Sequence, residues 1–465
     1  MGFSKSFTWG VATASYQIEG AANEDGRGQS VWDMMCRKPG AVFEGNTGDE
    51  ACDHYHRYPE DIALMRKLGV QGYRFSLAWP RIFPDGIGPI NAKGLDFYDR
   101  LVDDLIKADI TPWATLFHWD FPLALYHRGG WMNPDSPKWF ADYTAAVVNR
   151  LSDRVSHWMT LNEQQCFIGL GLQSGIHAPG DKLAFAEVLL AHHHALLAHG
   201  HSVRVIRDLA KTTPMVGMAP ACQVCIPSTE SKTDVEAARA ATFSVSQKNL
   251  WQMAWNLDPI FLGHYPQDGL DLFGQDVPKY TAEEMKIIST PLDFFGMNMY
   301  HGRRVETDKS GEAVTAKTEE GRPITAIKWP VTPECLYWGP KFYYERYGKE
   351  IVVTENGLSN QDWVSLDGKV HDPQRIDFLQ RHLTELQRVA NTGIPVGGYF
   401  QWSLMDNFEW AEGYKERFGL VHIDYVTQKR TPKDSFYWYK DVIESNGANI
   451  DPTGDWGEPL IAAAN

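Results

Sequence analysis

The chain has 465 residues, 43% of them hydrophobic, with 44 Lys and Arg against 59 Asp and Glu and a net charge of −15. That charge repels phosphate backbones and anionic lipid and no basic run offsets it, so neither nucleic acid nor a membrane surface is expected as a partner. The longest uncharged stretch, Thr212 to Thr229, holds Pro214, Pro220 and Pro227 and is no membrane helix, and the first residues, Met1-Gly2-Phe3-Ser4-Lys5-Ser6, lack an apolar signal core, so a cytoplasmic location is expected.

Short β-type runs alternate with longer amphipathic patterns, the signature of repeated βα units around a parallel sheet. In chain order, strands are predicted at Phe7–Ala12, Tyr73–Ala78, Thr111–Phe117, His157–Leu161, Met215–Ala219, Asp293–Asn298, Ile351–Thr354 and Gly398–Trp402. Helical spacing of apolar residues appears at Pro59–Leu68, Leu95–Ala108, Trp139–Leu151 and Arg375–Ala390, with Gly69 and Gly393 as stops. Average domain size would cut this length into about three units, yet no Ser- or Gly-rich linker interrupts the pattern. Eight strands then predict one α/β domain over residues 1–445, a closed (β/α)8 TIM barrel with long rim loops. A doubly wound open sheet competes, but no Gly-x-Gly-x-x-Gly follows any predicted strand. The two long rim connections are Ala221 to Phe243 after the fifth strand and His301 to Trp338 after the sixth. A polar tail, residues 446–465, is expected to pack loosely or fray.

Barrels carry their chemistry at the carboxyl ends of the strands. There the sequence places Gln17 and Glu19 after the first strand, Arg74 in the second, and His118-Trp119-Asp120 after the third. Asn162-Glu163 end the fourth, Asn298 and Tyr300 the sixth, Glu355-Asn356 the seventh, and Trp402 with Glu409-Trp410 the eighth; all are expected to face one cavity. A single Glu at a strand end is more often a surface ion-pair partner. Two of them on strands four and seven, with Arg, His, Gln and three Trp converging, point to glycoside cleavage, in which one carboxyl protonates the leaving oxygen and the other attacks the anomeric carbon. Arg74 and the Tyr300 hydroxyl would favour the ionised form of Glu355 as nucleophile, and Glu163, facing that anion, would keep its proton as acid and later serve as base. The aromatic content, 17 Trp, 19 Tyr and 22 Phe, suits both a packed core and platforms for sugar faces.

Five segments carry a resemblance. They are Phe7-Thr-Trp9-Gly10-Val-Ala-Thr-Ala-Ser-Tyr-Gln17-Ile-Glu19-Gly20, Tyr73-Arg74-Phe75-Ser76-Leu-Ala-Trp79-Pro-Arg81-Ile, Phe117-His118-Trp119-Asp120, Ile351-Val-Val-Thr-Glu355-Asn356-Gly357 and Gly398-Tyr-Phe-Gln-Trp402-Ser-Leu-Met-Asp406-Asn407-Phe408-Glu409-Trp410. With these the chain closely resembles glycoside hydrolase family 1, the β-glucosidase family, from Phe7 to about Tyr439. The resemblance implies a retaining, cofactor-independent β-glycosidase with no metal, Glu355 as nucleophile and Glu163 as acid/base. It implies a sugar pocket in which Gln17, His118, Asn162, Glu409 and Trp410 bond the hydroxyls, Trp402 forms the stacking floor and Phe418 closes the far side. Asn298, Tyr300, Trp119 and Trp329 are the further substrate-binding candidates. Family members acting on 6-phosphorylated sugars lack the acid at position 409, so an unphosphorylated glucoside such as an aryl glucoside, cellobiose or a short cello-oligosaccharide is expected, with galactosides also admissible.

One departure stands out. The family usually reads Asn-Glu-Pro-aromatic, whereas this chain reads Asn162-Glu163-Gln164-Gln165-Cys166. Loss of Pro frees the backbone after the acid/base. Loss of the ring at 165 is expected to remove a wall of the leaving-group site, leaving Trp329 there, with Cys166 also lining it, and to weaken the hold on a second sugar. A sugar-binding barrel without activity is the rival reading, supported only by Gln164-Gln165. Cys222-Gln-Val-Cys225 and the run His192-His193-His194 with His199 and His201 lack the partners of a redox or metal site and are expected to be structural.

Overall fold

The structure is a computed structural model that describes residues 2–308, 313–317 and 320–450. Eight strands form one parallel sheet: β1 (Thr8–Ala12), β2 (Gly72–Ser76), β3 (Thr111–Phe117), β4 (His157–Asn162), β5 (Met215–Ala219), β6 (Phe294–Asn298), β7 (Glu350–Asn356) and β8 (Val396–Trp402). Their order is β5-β4-β3-β2-β1-β8-β7-β6. The seam between β5 and β6 is bridged by Asp293 N–H donating to Val216 O and Asn298 N–H to Pro220 O, so the sheet closes as the predicted barrel. Strand ends differ from expectation where chemistry is concentrated. β2 stops at Ser76 because Trp79–Ile82 turns into a short helix, while β4 and β7 run on through Asn162 and through Glu355-Asn356.

Helices α1 (His54–Leu68), α2 (Ala92–Lys107), α3 (Ser136–Leu151), α4 (Phe185–Leu209), α5 (Ala282–Ile288), α6 (Cys335–Tyr347), α7 (Pro373–Ala390) and α8 (Asp434–Glu444) surround the barrel. In α2 the buried Leu95, Tyr98, Leu101, Val102 and Leu105 recur at helical spacing, with Asp99, Asp103 and Lys107 turned away from the core. α1 starts five residues before the predicted Pro59, and Gly69 ends it in a left-handed conformation (φ 85°) whose N–H reaches the Met65 and Arg66 carbonyls. Inside the barrel, Trp113, Phe294 and Phe400 fill the floor. Gly10 is required there, since a Cβ on it would fall 2.3 Å from the Phe400 ring.

The long connections after β5 and β6 are not plain loops: Cys225–Pro227, Arg303–Thr307 and Ala313–Thr315 pair into a small rim sheet. The start of the expected loose tail is anchored. Asn446 Oδ1 accepts from Trp9 Nε1 at 3.0 Å, and Ile450 O accepts from Gln380 Nε2 at 2.6 Å. The rest of that tail, 451–465, lies outside the described residues.

All six cysteines are buried and unpaired, Cys222 and Cys225 included. His192, His193, His194 and His199 are buried against Asn256 Oδ1, Tyr265 Oη, Trp131 O and Thr160 Oγ1. Burial holds these rings below the usual imidazole pKa, as packed neutral side chains. Among the described residues no group of three or more His, Cys, Asp or Glu is placed to hold a metal, and no helix is long and apolar enough to cross a membrane.

A buried ionic cluster ties the rim after β7 and β8 to α7 and α8. Arg375 pairs with Asp362 and, at 2.9 Å, with Asp372; Lys433 Nζ reaches Asp362 at 2.5 Å and Asp406 at 2.7 Å; Arg417 meets Asp406 at 2.7 Å. Removing one partner leaves desolvated carboxylates behind, at a cost of about 3–5 kcal/mol. Arg375→Leu is therefore expected to lose about that much in urea unfolding, whereas Lys138→Ala, which breaks an exposed pair with Asp142, is expected to stay within about 0.5 kcal/mol of the parent. Equal effects would remove the cluster from the list of supports.

Candidate active site

Strands β3, β4 and β7 meet around one guanidinium carried by β2. Arg74 is 1% exposed. Its Nη1 donates to Glu355 Oε1 at 2.5 Å and to Thr354 O at 3.1 Å, its Nη2 to Asn162 Oδ1 at 2.5 Å, and its Nε to Thr115 Oγ1 at 3.2 Å. The second Glu355 oxygen accepts from the Tyr300 hydroxyl at 2.8 Å. Across the cavity, Glu163 Oε1 accepts from Asn298 Nδ2 at 2.9 Å and its Oε2 from Cys166 Sγ at 3.2 Å. Asn298 is itself fixed by Thr354 Oγ1 donating to its Oδ1 at 2.7 Å and by its Nδ2 donating to Asn162 Oδ1 at 2.9 Å.

These carboxyls differ in what stabilises them. Burial and then the facing Glu355 push the Glu163 pKa up to about 8, against the weaker pull of Asn298, Cys166 and Arg74. Burial also raises Glu355, but Arg74 and Tyr300 both donate to it and favour its anion. Of the pair, Glu355 therefore holds the charge and Glu163 the proton. Burial, with the nearby carboxylate of Glu355, holds the Tyr300 hydroxyl far above its ordinary pKa, so it remains a donor. Burial and Arg74 hold the His118 ring well below its ordinary pKa and neutral.

The pair opens into a cavity of about 480 Å³ whose walls include His118, Trp119, Tyr300, Trp329, Trp402 and Trp410. His118 lies nearly parallel to Trp402 and Trp410, at ring distances of 5.8 and 5.9 Å. Glu163, Glu355, Asn298, Cys166 and Glu409 complete the part the sequence foresaw. Phe418 backs the Tyr300–Trp329 pair rather than facing the cavity directly. Gln17 and Asn162 sit one layer behind. Gln17 Nε2 donates to Asn407 Oδ1, Phe408 O and Glu409 Oε2, leaving its buried Oε1 without a partner, as is the Nδ1 of His118. Both atoms suit a ligand hydroxyl. Three site residues, Trp119, Glu163 and Trp410, take left-handed backbone conformations with φ of 79°, 49° and 52°. Such conformations are costly for side-chain-bearing residues and cluster where function fixes an orientation.

Three strand-end candidates point elsewhere. Glu19 accepts from Tyr98 Oη at 2.6 Å and from Arg81 Nε at 2.9 Å, Asp120 accepts from Ser15 Oγ at 2.8 Å, and Asn356 bridges Met299 O and Tyr399 Oη. These are buried supports of the loops, not cavity walls. Gln165 is also displaced from its expected place: it is fully buried, donates to Ala221 O at 3.1 Å and does not line the cavity. Gln164 is buried beside it with φ −56°, the value a proline ring would impose, so the chain direction after Glu163 is kept without the ring. It leads into a wide π-helical segment, Gln165–Ser174.

Sequence reasoning missed Trp251, Leu170 and Ile176 in the wall at the outer end, because they lie in stretches with no strand-end signal. It also missed Glu416, 5% exposed and accepting from Ser359 Oγ at 2.6 Å. Burial first, then Glu355, Glu416 and Glu163, hold the Glu409 carboxyl well above its ordinary pKa.

Among known proteins, the family model for Glycosyl hydrolase family 1 matches residues 1–448. A 1,4-beta-D-glucan glucohydrolase of Thermotoga neapolitana is 44% identical over 449 residues, covering 96% of this chain and 99% of that protein. A beta-glucosidase of Agrobacterium sp. is 44% identical over 442 residues, covering 94% of each. The solved beta-glucosidase from Thermotoga maritima in complex with glucoimidazole superimposes with a TM-score of 0.88 at 42% identity, over 96% of this chain and 99% of that one.

The opposing influences on Glu163 give two variants of opposite sign. Glu355→Gln removes the facing anion and is expected to bring the Glu163 pKa below about 8. Cys166→Ala removes a donor to the carboxylate and is expected to move it up. Carbon-13 titration of the glutamate carboxyls reads both, and shifts in the same direction would contradict this account of the coupling.

Proposed function

The chain belongs to glycosyl hydrolase family 1, and from that membership together with the cavity's geometry we propose that it is a retaining β-glucosidase of unphosphorylated substrates. One observation carries the reading: the two carboxyls share a cavity but not an environment, Glu355 being held as an anion by Arg74 and Tyr300 while Glu163 retains its proton. Glycoside cleavage needs this division of roles.

In the first step Glu355 attacks the anomeric carbon as the glycosidic C–O bond breaks, and Glu163 gives its proton to the departing oxygen. The product is an ester between the sugar and Glu355. Its formation removes the anion that raised the Glu163 pKa, so Glu163 is left as a carboxylate able to take a proton from water. That water attacks the anomeric carbon, the ester bond breaks and both residues return to their starting states. Retention is supported by the crowding of the pair: the Asn298 amide donates to Glu163 and also favours the Glu355 anion, which suits the closely spaced class of about 5–5.5 Å rather than one with water between.

Free sugars are supported over phosphorylated ones because, among the described residues, the cavity wall holds Glu409 and Glu412 and no Lys or Arg, so a phosphate would find no counter-charge there. Gln17, whose Nε2 donates to Glu409, keeps its Oε1 unpartnered as an acceptor for a sugar hydroxyl, and galactosides and fucosides are proposed as side substrates. The inactive-barrel reading has no support from position 164 or 165, since both carboxyls keep their donors despite the missing proline.

Glu355→Gly is expected to abolish hydrolysis of an aryl β-glucoside, with azide restoring turnover as a sugar azide of inverted configuration. Glu163→Ala is expected to lose roughly 10²–10⁴-fold on poor leaving groups and far less on activated ones. In the parent, kcat/KM is expected to fall as pH rises through about 8, where Glu163 loses its proton, and that limb is expected to vanish in Glu163→Ala. Equal losses on all leaving groups, or an alkaline limb that survives, would reassign the acid.

A further inference from the structure

A second cavity lies behind the catalytic one. It encloses about 410 Å³, within the range of about 300–1,000 Å³ that holds small molecules, and Trp119 is a wall of both. Its inner end is built of rings: Phe117, Phe121, Trp131 and Phe167 are buried and meet in pairs at ring distances of 4.9 to 6.3 Å. Its outer end is polar and partly exposed, with His127, Tyr126 and Asp181. Among the described residues no Lys or Arg is a wall. Both Asp181 oxygens accept from the Tyr126 hydroxyl, at 3.1 and 3.2 Å, and among the described residues this carboxylate makes no ion pair. The ammonium of Lys38 is taken up instead by Pro179 O at 2.6 Å.

A sugar would find few partners there, because the inner walls are rings and aliphatic side chains. An anion would be repelled by Asp181. An aromatic ring carrying an ammonium on a short chain suits both ends: the ring packs among Phe117, Trp131 and Phe167, and the ammonium meets the carboxylate and the face of Tyr126. The net charge of −15 favours the approach of a cation.

The partition between the two cavities also supports the catalytic residues. Trp119 Nε1 donates to Asn162 O at 2.9 Å, directly before Glu163, and its ring lies 4.5 Å from that of Trp410. The π-helical segment Gln165–Ser174 places Cys166 and Leu170 on the catalytic cavity and Phe167 and Leu172 on the second one. A molecule packed against Trp119 and Phe167 therefore bears on the elements that position Glu163.

We propose that the second cavity is a regulatory site for aromatic amines, separate from the catalytic one, and that its occupancy steadies Trp119 and the π-helical segment so that sugar binds more tightly. Restraint contributed by one ligand lowers the ordering cost of the other, and the coupling is reciprocal. The binding site stands on its own walls, whereas the coupling rests on the β-glucosidase reading.

Tryptamine is titrated into the parent calorimetrically, with and without saturating glucose. Binding is expected in both cases and about fivefold tighter with glucose, the lower end of ordinary coupling. Asp181→Asn removes the charge and keeps an acceptor for Tyr126; it is expected to weaken tryptamine about tenfold, as a hydrogen bond to a charged group is worth, and to leave the affinity for tryptophol, the neutral alcohol counterpart, as in the parent. Leu183→Trp fills the mouth from a position whose backbone N–H bonds Leu172 O at 2.8 Å, and is expected to abolish binding of both. Parent-like thermal unfolding and amine-free hydrolysis of an aryl β-glucoside show that each variant is folded. In the parent, tryptamine is expected to lower KM for that glucoside about fivefold with kcat kept. Displacement of tryptamine by glucose would put the amine in the catalytic cavity and overturn the site, as would an affinity untouched by both variants or no binding at all. Binding that responds to the variants but leaves KM and the glucose titration unmoved overturns the coupling. A parent that cleaves no aryl β-glucoside overturns the β-glucosidase reading, and the tryptamine titrations of parent and variants then still decide the site.

Discussion

The site is built on a buried guanidinium. Arg74 comes from β2, yet its donors end on Thr115 of β3, Asn162 of β4 and both Thr354 and Glu355 of β7. A desolvated charge must be matched by acceptors in fixed places, and one planar fork meets several at once. The same atoms that satisfy Arg74 therefore set the position of the strand ends and of Glu355. Asn162 transmits the constraint onward to Asn298 and His118, so the site's inner wall is a single hydrogen-bonded unit.

That unit also settles where the protons lie. Glu163, Glu355 and Glu409 line one cavity, and among the described residues only Arg74 is in ion-pair contact with one of them. Three buried anions against one cation are unfavourable, and the excess is relieved by proton uptake at the carboxyls that Arg74 does not touch. Burial raises all three, and the direct contact with Arg74 opposes the rise at Glu355. Which carboxyl keeps its proton is thus a consequence of which one the guanidinium reaches. Cys166 adds a small correction as a neutral donor on Glu163.

Much of this was legible in the sequence. The alternation of short β runs and amphipathic segments gave all eight barrel strands, because strands covered on both faces must be apolar and their helices one-sided. The two carboxyls, Arg74, His118, Tyr300 and the tryptophans were identifiable as strand-end residues. Direction was not. Glu19, Asp120 and Asn356 are of the same types at the same kind of position, yet the chain leaves its period-two geometry there and turns them into loop supports on Arg81, Ser15 and Tyr399. The rim sheet was equally hidden, since its strands are three to five residues long and pair across loops far apart in sequence.

The tryptophan and phenylalanine excess shows how one composition serves two ends of one barrel. At the amino-terminal end Trp113, Phe294 and Phe400 plug the interior, and Gly10 and Gly72 are small because the Phe400 ring takes their space. With the floor sealed, the open end alone admits a ligand, and the remaining rings can stand with their faces bare: Trp402 and Trp410 beside His118, Trp329 beside Tyr300. Position 165 tests how local that arrangement is. A glutamine there turns inward to Ala221 O rather than into the cavity, and the same post-β5 connection carries Trp251 to the cavity's outer wall. The rim loops, free of the barrel's register, are where the chain has latitude to set an aromatic face on the cavity wall.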